Sequence, residues 1–315
     1  MLRKSAQKKR VGRRVLSKAR RKQKKLYNRK FFKIIIILVP VLGLIFLKSQ
    51  TSLWTNKSKL TTVSTSENGN VRVSVLAPQE GTITNLILPA ESQVNVSSQF
   101  GVWRIKSIWE LGENEGVSGQ LLARSVTKNF RFPVTAYFER SELLAGKKRI
   151  HSFWEILTSE SDLLMGDRFR ILFFATKLKN SQITNINLSD TTYLTKTTSL
   201  DGEAGYSVGS TIPVSLSSIF IDKEIYESNY KVLIKNATGG SRTAETVGEI
   251  IEVLGARFVA FEKDNADNLD CEVLGKDNRI IKKIVSVFDC QRINTDPPGA
   301  FDLEIRLGEE FVERF

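Results

Sequence analysis

The chain is poor in the residues that most catalytic sites are built from. It has one histidine, His151, and two cysteines in 315 residues. One imidazole cannot make a histidine metal cluster, and a histidine-based triad has little to draw on. His151 stands beside Lys147–Arg149 and reads as a surface residue. A zinc site on Cys271 and Cys290 would need two more ligands, and none is close in sequence. No metal and no cofactor is therefore expected. A Walker loop is missing as well: Gly146-Lys147-Lys148 lacks the upstream glycine, and Gly202, Gly205 and Gly209 have no following lysine. Acid is absent from residues 1–33, which hold 16 Lys/Arg, so the net charge of +13 belongs to this one segment. The rest has 31 bases against 34 acids, divided 19 to 18 over residues 34–227 and 12 to 16 over 228–315. A body near −3 offers no overall positive field to phosphate, which excludes a uniformly basic nucleic-acid-binding protein. Disorder throughout is also excluded, because 41% apolar residues can support a packed core.

The basic tail runs into an apolar segment, FFKIIIILVPVLGLIFL from Phe31 to Leu47. Its strictly uncharged part, Ile34–Leu47, has 14 residues, about 21 Å of helix against a hydrocarbon core of about 30 Å. Lys33 and Lys48 can snorkel toward the headgroups, and no other charge lies between Phe31 and Trp54. Pro40 is tolerable inside a membrane span. The basic region is too long for a cleaved signal peptide, and no small-x-small cleavage site comes after it. A signal anchor over residues 31–54 is expected, marked by Phe31, Ile34, Pro40, Leu47 and Trp54, with Trp54 near the outer interface. The positive-inside rule then keeps residues 1–30 in the cytoplasm and places residues 55–315 outside, as a single-pass cell-membrane protein. The tail suits anionic lipid, at about 1 kcal/mol per basic residue near the surface. A nucleic-acid-contacting arm is the other reading of a basic tract.

Residues 55–69 are rich in Ser, Thr and Asn and read as a linker. From Val71 the pattern is that of an α/β (α+β) domain over residues 70–225. Val71, Val73 and Val75 alternate as in a strand, Pro78–Gly81 turns, and Thr82–Leu88 returns. Ile105, Ile108 and Trp109 have helical spacing as far as Gly112. Ser118 can cap a helix with Leu122, Val126 and Phe130 on one face, ended by Pro133. Val134–Phe138 has strand composition, Arg168–Thr176 is strongly apolar, and Ile183–Leu188 alternates. The second unit, residues 228–315, is more regular. Lys231–Lys235 is a strand and Asn236–Ser241 a turn. Ala244, Val247, Ile251 and Leu254 mark a helix closed by Gly255. Arg257–Phe261 and Cys271–Leu274 are strands. Asp277 or Asn278 caps a helix with Ile280, Ile281, Ile284 and Phe288, and Asp302–Leu307 is the last strand. The layout is β-α-β-β-α-β, a four-stranded sheet carrying two helices on one face.

Two stretches resemble known families. The opening KVLIKNATGG, the helix ending VLGARFVAF and the closing DLEIRLGEEF resemble the C-terminal domain of the LytR family over residues 230–310. Residues 71–138 resemble the core of the LytR–CpsA–Psr family, membrane-anchored enzymes that move undecaprenyl-phosphate-linked glycans onto bacterial cell wall. In that family a strand pair leads to Ser-Ile-Pro-Arg-Asp-Thr, then to Lys-Ile-Asn and a helix ending in Gly-Gly. The corresponding stretches are Leu86–Ser92 (LILPAES) and Arg104–Gly116 (RIKSIWELGENEG). The order of elements fits and the chemistry does not. The family's pyrophosphate-contacting arginine corresponds to Ala90 and the next Asp to Glu91. The early Asp tied to magnesium has no counterpart in Val71–Ala77.

Phosphoryl transfer needs positioned cations around the transferred group. Arg72, Arg104 and Lys106 are the candidate ligand-binding residues, with Arg124 and Arg131 also in the domain, none at a motif position. Glu110, Glu113 and Glu115 read as a solvated loop. Cys271 and Cys290 are the disulfide candidates in an oxidising compartment, with two buried free thiols as the alternative. The resemblance, less its motif residues, implies a bacterial cell-envelope protein that binds or scaffolds at the wall without catalysis. Its partners would be cell-wall glycan or envelope enzymes, besides the membrane itself. A glycan phosphotransferase with a relocated site and a membrane-tethered transcriptional regulator acting through the tail are the alternatives.

Overall fold

A computed structural model describes Gly43, Trp54 and residues 57–198, 202–240, 242–265, 267–297 and 299–315. In chain order the strands are β1 (Leu60–Thr65), β2 (Val71–Ala77), β3 (Thr82–Leu88), β4 (Ser92–Val96), β5 (Gly101–Arg104), β6 (Ala136–Arg140), β7 (Ile183–Asn187), β8 (Leu194–Thr198), β9 (Ala204–Val208), β10 (Lys231–Asn236), β11 (Phe258–Lys263), β12 (Cys271–Gly275), β13 (Gln291–Ile293) and β14 (Leu303–Leu307). The helices are α1 (Ile108–Asn114), α2 (Gly119–Phe130), α3 (Ile150–Thr158), α4 (Met165–Lys177), α5 (Val214–Phe220), α6 (Lys223–Ser228), α7 (Arg242–Val253), α8 (Asn278–Phe288) and α9 (Glu309–Arg314). Among the described residues no helix is long and apolar enough to cross a membrane. The segment assigned to the membrane by Phe31, Ile34, Pro40 and Leu47 lies outside them.

The first sheet has the order β6-β1-β2-β3-β7. Its centre is an antiparallel meander, and β6 and β7 are added in parallel at the two flanks. Period-two alternation sends Val71, Val73 and Val75 to one face and Arg72, Ser74 and Leu76 to the other. The valines pack against Ile108, Leu121, Leu122, Val126 and Phe130 of α1 and α2. On the opposite face Leu60, Leu76, Ile83 and Phe138 pack against Ile156, Ile171 and Ala175 of α3 and α4. A smaller sheet, β5-β4-β9-β8, lies beyond β3 in sequence. Helix α2 ends with Arg131 in the left-handed region (φ 56°), two residues before the proline expected to stop it.

The structure corrects two expectations drawn from composition. The stretch read as a linker contributes β1, whose first five residues are buried. Threonine counts as polar in a composition, but its β-branched side chain suits a strand, and Thr61 N–H bonds Thr135 Oγ1 at 3.2 Å. Trp54, assigned to a lipid interface, is 1% exposed in the core shared with α3 and α4. Its indole donates to the Ser58 carbonyl at 2.9 Å, and its ring meets Phe174 edge-on at 5.7 Å. An indole with its N–H satisfied locally can be buried without penalty.

The last sheet, β11-β10-β14-β12-β13, is built from residues 231–307. Five strands stand where four were expected, the extra one being the short β13 parallel to β12, and α9 comes after β14. Val232, Ile234, Val273, Leu303 and Ile305 share one cluster with Val247, Ile251, Ile281 and Ile284, so α7 and α8 cover the same face. Gly255 (φ +112°) ends the turn after α7. Asp277 caps α8, accepting from Arg279 N–H at 2.9 Å. Its hydrogen bonds from Arg279 and Tyr230 outweigh burial and hold the carboxyl well below the usual carboxylate range. A depressed folded-state pKa stabilises above the unfolded value and is lost as pH falls through it. Asp277→Ala is therefore expected to cost about 1 kcal/mol at neutral pH. Urea titrations should show the difference from wild type shrinking below the ordinary carboxylate pKa.

Candidate functional site

The parallel flanks bring several chain ends to one edge of the first sheet. β1 and β6 finish together, with Thr65 paired to Arg140, and β3 finishes opposite the start of β2, with Leu88 paired to Val71. The turn between β1 and β2 passes through Gly69 in the left-handed region (φ +74°), which a side chain would strain. Asn70 Oδ1 then accepts from Ala90 N–H at 2.9 Å, and Ala90 O accepts from Lys106 N–H at 3.3 Å. Ala90, Glu91 and Lys106 are thereby fixed beside the turn.

Arg72 projects from β2 and is 6% exposed. Its guanidinium donates to Ser141 O and to Glu142 Oε1, each at 3.3 Å. Lys147 Nζ is 2.6 Å from Glu142 Oε2. Burial alone would raise the Glu142 carboxyl, but Lys147 and Arg72 outweigh it and hold it below the usual range. Arg72 Nε is buried with no hydrogen-bond partner, at the wall of a cleft of about 150 Å³ that Ser66, Asn68, Asn70 and Lys147 also line.

Arg104 and Lys106 form a second cluster and share one carboxylate. Arg104 Nη1 is 2.9 Å from Glu91 Oε2 and 2.5 Å from Glu203 Oε2, and Lys106 Nζ is 2.6 Å from Glu91 Oε1. Asn70 lines the Arg72 cleft and also bonds the Ala90 backbone, so it adjoins both clusters. All three cations named from the sequence are thus held by carboxylates. Sequence reasoning does not reach Glu142 and Glu203. They lie 70 and 99 positions from their partners, and only the strand order joins them. Glu91 is visible in the sequence as a replacement for an aspartate, and its role as a partner for Arg104 is not.

An arginine clamp works on phosphate when its N–H groups point at an open position. Here Nη1 of Arg104 is turned onto two glutamates, and a phosphate approaching that nitrogen would have to displace them. Arg124 and Arg131 are turned toward the last sheet's helices, with Arg124 2.6 Å from Asp289 and Arg131 3.0 Å from Glu249. Glu113 accepts from the Trp109 indole at 2.8 Å. His151 is exposed and lies 3.4 Å from Glu155. Among the described residues no three His, Cys, Asp or Glu side chains are grouped to hold a metal ion. Cys271, the first residue of β12, is bonded to Cys290, just past α8, with Cα atoms 4.7 Å apart.

No family model matches the chain, and no curated protein does. Solved structures do show likenesses. Bacillus subtilis TagT is 12% identical, with 50% of this chain and 88% of that one covered at a TM-score of 0.35. A LytR-CPS2A-psr family protein, YwtF (TagT), with bound octaprenyl pyrophosphate lipid is 11% identical over 50% and 87%, at 0.34. Bacillus subtilis TagV is 6% identical over 65% and 100%, at 0.36.

Proposed function

We propose that this is a single-pass protein of the bacterial cell envelope that binds cell-wall glycan, or a partner assembled on it, and does not transfer glycan. The observation that carries the reading is the pairing of Arg104 and Lys106 with Glu91, reinforced by Glu203. Pyrophosphate in transfer needs uncommitted positive charge, and this edge is closed on itself. Ala90, where the family resemblance expects the contacting arginine, adds none. Neutral, hydroxyl-rich glycan can use amides and hydroxyls, and Ser66, Asn68 and Asn70 line the cleft together with Glu67, Arg72, Glu142 and Lys147. The basic tail would lie on anionic lipid in the cytoplasm and the folded unit outside. The full chain in detergent should co-sediment with purified sacculi above a control protein of equal charge. Retention no greater than the control removes the glycan reading.

The orphaned Nε of Arg72 favours a second reading, a phosphotransferase whose site has moved to that cleft. It predicts pyrophosphate release from a polyprenyl-pyrophosphate-linked glycan, abolished by Arg72→Ala. The binding reading predicts no release from either protein.

A further inference from the structure

The face of α3 and α4 turned away from the sheet is apolar and open. Ile150 is 78% exposed, Trp154 60% and Phe173 62%, and Met165 and Leu164 are also exposed. The helices run antiparallel. Lys148 Nζ bonds the Thr176 and Leu178 carbonyls at one end, and Arg168 bonds the Leu157 and Ser159 carbonyls at the other. That sets Ile150 and Trp154, one helical turn apart on α3, alongside the half of α4 that carries Phe173. The rest of both helices is spent on the core. Ile156, Ile171 and Ala175 are buried beneath the sheet, on the side opposite Trp154 and Phe173. Large apolar side chains exposed together on one helix pair mark an interaction surface.

Two further observations point to its occupant. The charge beside it is polarised. Lys147, Lys148, Arg149, Lys177 and Lys179 gather where α3 begins and α4 ends, all exposed, while Glu160 and Asp162 lie near the other end. Trp54 is bound to α4, its carbonyl accepting from Arg170 at 2.6 Å and its ring against Phe174. Leu47, the last residue of the uncharged apolar run, is seven positions earlier, which allows at most about 25 Å of extended chain. Any bilayer holding that run is therefore within reach of α4.

We infer that the α3–α4 face docks on the outer surface of the anchoring bilayer, with Ile150, Trp154 and Phe173 in the headgroup–acyl boundary and the basic end on anionic headgroups. Aromatic and aliphatic groups flanked by Lys/Arg are what a membrane-surface helix presents. The inference rests on the anchor reading. It adds that the folded unit lies against the membrane in one orientation instead of swinging on a tether.

The test uses the full chain in vesicles of equal parts phosphatidylglycerol and phosphatidylethanolamine, with brominated acyl chains in a parallel sample. Flotation reads the anchor. Bromine quenching of tryptophan emission reads the docking, and Trp154→Phe isolates the contribution of Trp154. Expected are flotation of both proteins, quenching of wild type, and loss of that quenched component in W154F. A triple variant, Ile150→Ser with Trp154→Ser and Phe173→Ser, should float and also lack it. Far-ultraviolet dichroism and the urea midpoint of that variant should match wild type, these positions being exposed. Flotation with equal quenching in wild type and W154F overturns docking and leaves the anchor intact. No flotation overturns both. A Trp154 that bromine leaves unquenched, in a chain that cross-links as a dimer in wild type and not in the triple variant, assigns the face to a second copy of the chain and overturns docking too.

Discussion

Replacing Lys283 by methionine lowers the free energy of unfolding by about 3–5 kcal/mol, the range for removing one partner of a buried ion pair. Lys283 sits on α8 but is committed to the other half of the molecule. Its ammonium is 2.5 Å from Asp222 Oδ2 and 2.8 Å from the Lys59 carbonyl. Asp222, 1% exposed, also accepts from Lys59 N–H at 3.0 Å and from Glu224 N–H at 3.1 Å, capping α6. Methionine fills a similar volume, so the cost is the carboxylate left without its cation and not a cavity. Asp222→Asn strands the ammonium in turn and should cost a comparable amount. Desolvation pushes the Lys283 pKa down against the opposing pull of Asp222. The folded protein therefore holds this proton less tightly than the unfolded chain, and stability rises as pH climbs toward 10.5. Urea midpoints should carry that alkaline slope in wild type and lose it in K283M. Equal midpoints for the two proteins at neutral pH would refute the assignment.

Opening the Cys271–Cys290 bond should cost about 3 kcal/mol, the chain-entropy value for a loop of about 20 residues. The bond spans a separation of 19 and ties the first residue of β12 to the end of α8. It therefore guards the helix on which Lys283 rides. Cys271→Ala with Cys290→Ala is the cleaner variant, because these sites are 1% and 5% exposed and a serine would bury a hydroxyl. Melting should fall by about 2–4 °C per kcal/mol for a domain of this size. Reductant should lower the melting temperature of wild type to that of the variant and leave the variant unchanged. A wild-type transition that reductant does not move would show that the bridge adds nothing.

The last sheet is legible in the sequence because its signals are local. Lys231–Lys235 holds a compact apolar run, Asp302–Leu307 alternates, Gly255 and Asp277 punctuate the helices, and both helix faces can be counted from consecutive residues. The three-residue β13 carries no such signal. Long-range pairing is the part that stays hidden. Leu60–Thr65 carries only two aliphatic residues, and it becomes a strand because β2 and β6 both offer it pairing. Leu194–Thr198 and Ala204–Val208 carry too few apolar residues to announce themselves, and they find their place by pairing with each other and with β4. By sequence Trp54 groups with the apolar segment before it, whereas its partners, Phe174 and Arg170, come more than a hundred residues later. At the candidate site the cations can be named and their counter-charges cannot. A carboxylate 99 positions away becomes a neighbour only after β4 has joined β5 and β9 in one sheet. That difference decides the chemistry, since an arginine alone reads as a phosphate ligand and an arginine on two glutamates reads as a strut.

The parallel flanks of the first sheet also set a timetable. The hairpins joining β1, β2 and β3 close over a handful of residues, but β6 reaches β1 only across 74 positions and β7 reaches β3 only across 100. In a chain that emerges amino end first, β1, β2 and β3 are all complete before either flanking strand exists. Such non-local closures slow folding, and open edges are where two chains join by mistake. β1 carries three threonines and a serine among its six residues, and β3 keeps Asn85 for Asn185. Hydroxyls and an amide make these strands less apolar than an all-aliphatic pair would be before β6 and β7 are added. That is a use for polarity that the finished sheet conceals.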